Sequence, residues 1–226
     1  MGARNETILY GTQELLPYLQ GPLLSLGLAA KFAVSDCAHL QRNSYLSISF
    51  ARSQQGQRAL WPVVEHSRYR ERLQTRVAPL IDSEVEQKII ELAQLKISEI
   101  TWFGSGLLRT TMTGEFIDLN RGVQREGMWT IDHCETSIFE NEVRAAFDLP
   151  LGDISLRHSN WMTTEFSAPH ELDMFRPYLH LCARNPRYKF HHYSSHEGVV
   201  SLSADKAILR QDLEHAVDYL EGVINE

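Results

Sequence analysis

Apolar and polar residues alternate from Ser44 to Arg52, with Leu46, Ile48 and Phe50 on one side and Tyr45, Ser47 and Ser49 on the other. A period of two predicts a strand buried on one face. Over Asp82–Leu95 the period lengthens: Val85, Ile89, Leu92 and Ala93 recur at helical spacing behind an Asp-Ser start, which predicts an amphipathic helix. Leu107–Met112 and Glu115–Leu119 flank Thr113-Gly114, the pattern of a hairpin. Ser137 with Glu140 three residues on is a capping box, and the helix it opens carries Phe139, Val143 and Phe147 on one face and ends before Pro150. Asn160–Phe166 and Val199–Leu202 read as strands. Ala204–Ile224 stacks Ile208, Leu213, Ala216, Leu220 and Ile224 and reads as a closing helix. Strands and helices mix without a βαβα rhythm, so the fold class is α+β.

Composition narrows the class further. The 226 residues are 43% apolar and 23% charged, with no repeat or low-complexity tract, as in a globular domain. A net charge of −7 argues against a nucleic-acid surface and leaves room for a local basic pocket. Cys37, Cys134 and Cys182 are widely spaced and form no CxxC pair, which points to reduced thiols in a cytoplasmic protein and not to a disulfide framework or zinc. Leu15–Val34 is the one Leu-rich stretch, but Pro17, Gln20, Pro22 and Lys31 interrupt it and Glu6 and Glu14 precede it. Neither a signal peptide nor a membrane span is expected there.

The most specific segment is Met128–Asp153, with Gly127 just before it. Gly127, Trp129, Thr130, Thr136, Ser137, Phe139, Glu140, Arg144, Ala145, Leu149, Pro150, Leu151 and Gly152 follow one another in step. This resembles the C-terminal signature of carboxyaminoimidazole ribonucleotide synthase, an ATP-grasp enzyme of purine biosynthesis: Gly-His-Trp-Thr, then Thr-Ser-Gln-Phe-Glu-x-His-x-Arg-Ala, then Gly-Leu-Pro-Leu-Gly. Weaker likeness extends outward to Ser47–Arg52, Gly56, Trp61–Glu65, Ala78-Pro79, Phe103-Gly104, Gly114-Glu115, His180-Leu181, Arg184 and Arg187, from about Ser44 to about Leu202. The resemblance implies a C-terminal ATP-grasp-like half, an antiparallel sheet with packed helices, plus a small C-terminal subdomain. The division it suggests is an extension over 1–43, a core over 44–152 and a C-terminal subdomain over 153–226. The 43 residues before Ser44 are fewer than the roughly 50 or more of a typical domain.

ATP and magnesium are the ligands the resemblance implies, and its metal-binding hairpin falls on Arg109 and Asp118. Asp118-Leu119-Asn120 keeps a carboxylate and an amide for the cation, against the plainer reading of Asp118 as a solvated hairpin acid. Arg109 stands at the other acidic position, where a guanidinium opposes a cation. It either clamps an anion or pairs with Asp118 or Glu115. The family's Asn-Ser-Gly-His loop reads Arg125-Glu126-Gly127-Met128, with only the glycine kept. Where the family has Arg-Pro-Gly-Arg-Lys-x-Gly-His, this chain offers Arg187-Tyr188-Lys189-Phe190-His191-His192-Tyr193-Ser194-Ser195-His196. Arg184, Arg187 and Lys189 are candidates for phosphate, or else ordinary surface cations. His191, His192 and His196 lack the acid of HExxH, so zinc is not expected. Glu140 and Arg144, at i and i+4, read as scaffold.

Scaffold residues thus persist where site residues change. The sequence points to a divergent, truncated relative that does not carboxylate with ATP on its own and binds a nucleotide, a phosphorylated small molecule or another anion weakly at most. One alternative is a subunit completing a shared ATP-dependent ligase site with a second protein, and another is a non-catalytic interaction domain. A homo- or hetero-oligomer is expected, with no nucleic acid or membrane partner.

Overall fold

The predicted strand at 44–52 is the hub of a nine-stranded sheet. The computed structural model describes residues 7–34, 44–77, 82–204 and 209–224. Cys37, Ala78-Pro79 and Ile208 lie outside the described residues. In chain order come β1 (Ile8–Gly11), α1 (Leu16–Ser25), β2 (Lys31–Val34), β3 (Ser44–Arg52), β4 (Arg58–Leu60), β5 (Val64–Tyr69) and β6 (Arg72–Val77). Then follow α2 (Ser83–Glu99), β7 (Gly104–Thr110), β8 (Phe116–Arg121), α3 (Thr130–His133), α4 (Ile138–Ala146) and β9 (Trp161–Ser167). The chain continues through α5 (Phe175–Arg184), β10 (Lys189–His192), β11 (Glu197–Ser203) and α6 (Leu209–Leu220). The large sheet runs β10-β11-β9-β6-β5-β3-β7-β8, with β4 on β3, and its pairings are antiparallel. β1 and β2 form a separate parallel pair.

One face of the sheet is apolar. Ile89, Ala93 and Ile97 of α2 pack on Leu46, Ile48, Phe50 and Leu108. At the other end Leu213, Ala216, Val217 and Leu220 of α6 pack on Met162, Phe166, Val200 and Leu202. Each fully buried Leu, Ile or Val contributes about 1.5–3 kcal/mol. Asp82 caps α2 by accepting from the Glu84 N–H, and the helix runs past the predicted Leu95 to Glu99. The predicted Ser137 cap is present too: its hydroxyl accepts from the Glu140 N–H at 3.2 Å.

The opposite face is where the structure departs from the periodicity. β3 is buried on both sides, with Tyr45, Ser47 and Ser49 as inaccessible as Leu46, Ile48 and Phe50. The reason is a second layer: α4 lies over β3 and β7, α1 packs on α4, and β1 touches α4 and β7. Leu9, Leu15, Leu19 and Leu23 join Trp129, Phe139 and Trp161 in the core that results. Leu15–Val34 is therefore a helix and a strand laid on the domain. Among the described residues no helix is long and apolar enough to cross a membrane. The closing helix is shorter than its stripe, with α6 covering Leu209–Leu220 and Gly222 following at φ 71°. The loop after residue 152 leads into β9, which pairs with β6, so one sheet joins the 44–152 and 153–226 segments.

Gly122 joins the second layer to the sheet. It has φ 81°, and a Cβ there would lie 2.5 Å from the Tyr10 carbonyl carbon. The neighbouring Val123 N–H donates to Tyr10 O, and Thr12 N–H donates to Val123 O. A side chain is thus excluded by both conformation and space. Gly122→Ala is expected to destabilise the fold by about 2–4 kcal/mol, read from the midpoint of denaturant unfolding. A change within about 0.5 kcal/mol would mean that β1 docks without this close approach.

Candidate functional site

The covered polar face centres on Arg109, whose side chain is 1% exposed. β7 places it opposite Asp118 of β8, and a bulge between Arg109 and Thr110 offsets the ladder there. Its Nε and Nη2 donate to Glu126 Oε1 at 2.7 and 2.6 Å, and Nη1 donates to both Asp118 oxygens at 3.2 Å. Asn120 Nδ2 donates to Asp118 Oδ1 at 3.0 Å, and the Tyr45 hydroxyl donates to Glu126 Oε1 at 3.0 Å. Burial alone would raise the Glu126 pKa; Arg109 and His66 hold the carboxyl below its ordinary range.

The network continues across the sheet. The Tyr45 ring stacks on His66 at 4.6 Å, and His66 shares hydrogen bonds with Ser47 Oγ (2.7 Å) and Thr75 Oγ1 (2.9 Å). Burial pushes the His66 pKa down to about 4. This centre does not suit magnesium. The hard oxygens such an ion would take from Asp118 face a guanidinium, and a unit charge about 4 Å from a cation costs roughly 4 kcal/mol at an effective dielectric near 20. Among the described residues no three His, Cys, Asp or Glu side chains are grouped to hold a metal.

Next to this centre the N-terminal layer is fixed by charge. Arg125 Nε donates to Glu14 Oε1 at 2.6 Å, Nη1 lies 3.6 Å from Glu165, and the guanidinium sits 4.6 Å over the Tyr193 ring. Glu142 of α4 accepts from the Tyr10 N–H at 3.0 Å and from the Ser105 N–H. Burial pushes the Glu142 pKa up to about 7, against these donors and Arg121. Glu140 and Arg144 form the expected pair at 2.7 Å.

The other predicted cations are elsewhere and divide into two places. Arg187 and Lys189 line an open, polar cleft of about 520 Å³ at the end of β10, β11 and β9, with Arg157, His158, Ser159, Asn160, Pro186, Ser203 and Ala204. Arg184, at the end of α5, is turned away toward Asp212 at 3.8 Å. Arg109 does not approach this cleft; it is committed to its two carboxylates. Arg157 comes from the loop before β9 and lies 3.5 Å from Glu135. Neither Arg157 nor Glu126 stands out as a site residue in the sequence. The only signal for Glu126 is an acid replacing a small residue in a loop opposite an arginine. Of the three histidines considered for zinc, His191 bonds Asp132 at 2.8 Å, His192 bonds Tyr178 at 2.5 Å and His196 bonds Ser195 at 2.9 Å.

No family model matches the chain. Among curated proteins it is similar to the N5-carboxyaminoimidazole ribonucleotide synthase of Mycobacterium leprae (strain TN), 30% identical over 177 residues, 73% of this chain and 40% of that protein. It is also similar to that of Synechococcus elongatus, 29% identical over 116 residues, 50% of this chain and 29% of that one. The chain therefore spans less than half the length of these curated relatives. Among solved structures, the N5-carboxyaminoimidazole ribonucleotide synthetase of Thermus thermophilus superposes with a TM-score of 0.64 at 22% identity, over 83% of this chain and 52% of that one. The Aspergillus clavatus enzyme in complex with ADP and aminoimidazole ribonucleotide gives 0.67 at 16% identity, over 82% and 53%. The resemblance and the α+β class stand: the fold is that of these ATP-grasp enzymes.

Three buried groups near these centres contribute to the response to acid with opposite signs. His66 and His133 are both pushed by burial from 6.5 to about 4, so each contributes stability that is present above the unfolded value and lost as pH falls toward the folded one. Glu142, pushed by burial from 4.5 to about 7, acts oppositely: its contribution is full below 4.5 and is lost as pH rises through 7. Near pH 5.5 these three together take up about one proton on unfolding and contribute a rise in stability of about 1.4 kcal/mol per pH unit, which the buried Glu165, also raised by burial, opposes. His66→Gln is expected to lower the slope by about one proton and Glu142→Gln to raise it by about one, read from denaturant midpoints at several pH values. Slopes unchanged in both variants would refute the assignment.

Proposed function

We propose that this chain is an ATP-grasp-like domain that does not turn over magnesium-ATP by itself and that binds an anionic, phosphorylated small molecule in the Arg157–Arg187–Lys189 cleft. The observation that carries the first half is the Arg109 guanidinium, buried between Asp118 and Glu126. ATP-driven ligation rests on positioning and electrostatics around phosphates, with a divalent ion neutralising charge as it develops. An arginine with both carboxylates already engaged supplies no open coordination position, and its charge repels a second cation.

The second half rests on charge. In a chain of net charge −7, three cations converge on one open polar cleft, and Glu135 is the one acid paired to any of them among the described residues. Such a concentration favours an oxyanion. The Aspergillus relative was solved with ADP and aminoimidazole ribonucleotide, both phosphorylated, which supports the ligand class. A second reading, a ligase site shared with another protein, draws on Asp118, which keeps 25% of its side chain exposed and so remains open to another chain.

Calorimetric titration separates these readings. ATP affinity should be the same with and without magnesium, and purified protein should release no phosphate from ATP. A tenfold or greater gain in affinity with magnesium would overturn the first half. Inorganic pyrophosphate should bind, and Lys189→Gln and Arg187→Gln should each weaken it roughly tenfold, the loss of one charge-assisted contact. Equal affinity in the wild type and both variants would overturn the second half.

A further inference from the structure

α5 is apolar on two sides. Met174, at its start, Tyr178 and Leu181 pack into the core beneath α6, and Leu181 is fully buried. Phe175, Leu179 and Cys182 face outward at i, i+4 and i+7, and Phe175 and Leu179 keep 70% and 61% of their surface exposed. Cys182 is an exposed free thiol. Single exposed apolar residues are ordinary, but two large ones and a thiol on one helix face make a continuous stripe. A helix that is apolar on opposite sides needs cover on both.

Charge on the same helix is divided between its ends. Glu171 and Asp173 stand exposed before the first turn, and Asp173 accepts from the Phe175 N–H at 3.0 Å. Arg184 ends the last turn, 49% exposed and 3.8 Å from Asp212. Phe175 and Cys182 are equally far from the midpoint between Tyr178 and Leu179, and so are Asp173 and Arg184. Turned end for end about that midpoint, the helix lays Phe175 on Cys182, Leu179 near its own copy and Asp173 against Arg184. The apolar stripe and the charged rim thus share one centre of symmetry. Arg176 is the exposed charge of the helix that this register leaves to solvent. Helix dipoles are also opposed in that arrangement, with each N-terminus beside a C-terminus.

We propose that α5 is a self-association surface, pairing antiparallel with α5 of a second copy of this chain about a two-fold axis through the middle of the stripe. In such an isologous contact every favourable pair occurs twice, so the Phe175–Cys182 and Asp173–Arg184 contacts are both doubled. The ten residues of the helix span about 15 Å, which places the contact at the small end of specific interfaces, below about 1,200 Å² in all. The dimer is accordingly reversible, with dissociation on the order of micromolar to tens of micromolar. The anion cleft takes no part in it.

Sedimentation velocity of the reduced protein from about 2 to about 200 µM should show a shift from monomer to dimer. Leu179→Glu brings two like charges together at the axis and should remain monomeric at about 200 µM, while melting within about 2 °C of wild type. Phe175→Cys tests the register. Two cysteines seven residues apart on one helix are about 10 Å apart, beyond the roughly 7 Å between Cα atoms that a disulfide spans. With oxidised glutathione this variant should therefore form covalent dimers through Cys182 of the second copy, roughly tenfold faster than wild type or Arg176→Cys. Should Leu179→Glu fail to fold, the cross-link decides alone. A wild-type protein that stays monomeric to about 200 µM overturns the proposal. So does a folded Leu179→Glu variant that dimerises as wild type does, or a Phe175→Cys variant that cross-links no faster than Arg176→Cys.

Discussion

A guanidinium enclosed by two carboxylates ties together the parts of this fold that the sequence keeps apart. Arg109 belongs to β7, Asp118 to β8, Glu126 to the loop before α3, and Tyr45, which also bonds Glu126, to β3. Desolvating such a group costs several kcal/mol, and its partners roughly repay that cost, so the net gain in stability is small. The asymmetry is what matters. Arg109 removed, Glu126 would be a buried charge without a counterion, a loss of about 3–5 kcal/mol. A register slip of one residue on β7 would turn Arg109 onto the apolar face under α2. The cluster therefore fixes register more than it adds stability.

The same cluster explains why the polar side of the sheet is closed. Ser47, His66, Thr75, Thr163 and Ser201 are all buried on strands whose opposite faces carry the hydrocarbon core. A layer laid over such a surface must supply hydrogen bonds and counter-charges or lose free energy. The N-terminal layer does so at several points: Glu14 to Arg125, the Tyr10 N–H to Glu142, the Tyr10 and Thr12 backbone to Val123, and the Tyr18 hydroxyl to His192 O. Its four buried leucines supply the area. Hydrophobic burial holds the layer on, and the polar contacts determine where it sits.

The legible parts of the sequence are those where local chemistry and packing agree. The Asp82 and Ser137 caps, the β7–β8 hairpin and the α2 stripe follow from local rules that the tertiary structure leaves in place. The opposition of Arg109 and Asp118 is legible from the same hairpin. β3 misleads because its alternation marks chemistry and not exposure: serines and a tyrosine on one side suggest a wet face, and they are dry. The β5–β6 turn is invisible for another reason. Arg70 and Glu71 take φ of 47° and 66°, conformations that favour Asn and Gly, and only the fold and contacts such as Arg70 to Asp218 hold them there. Nearness in sequence groups Arg184 with Arg187 and Lys189. The helix-to-strand turn between them sends it to the other side.

What separates the two polar centres is the fate of their cations. At Arg109 every charge is neutralised within the fold, and the low dielectric makes that neutralisation hard to exchange for an external ligand. In the cleft, Lys189 and Arg187 are left to solvent, where an oxyanion can replace water at little cost. A site that binds must keep some of its electrostatics unsatisfied, and a site that stabilises cannot. By that criterion the β7–β8 hairpin of this chain is structure: Arg109, Asp118 and Glu126 neutralise one another there. The cleft at the far end of the sheet, lined by the exposed Arg187 and Lys189, is where this fold leaves cationic charge unneutralised.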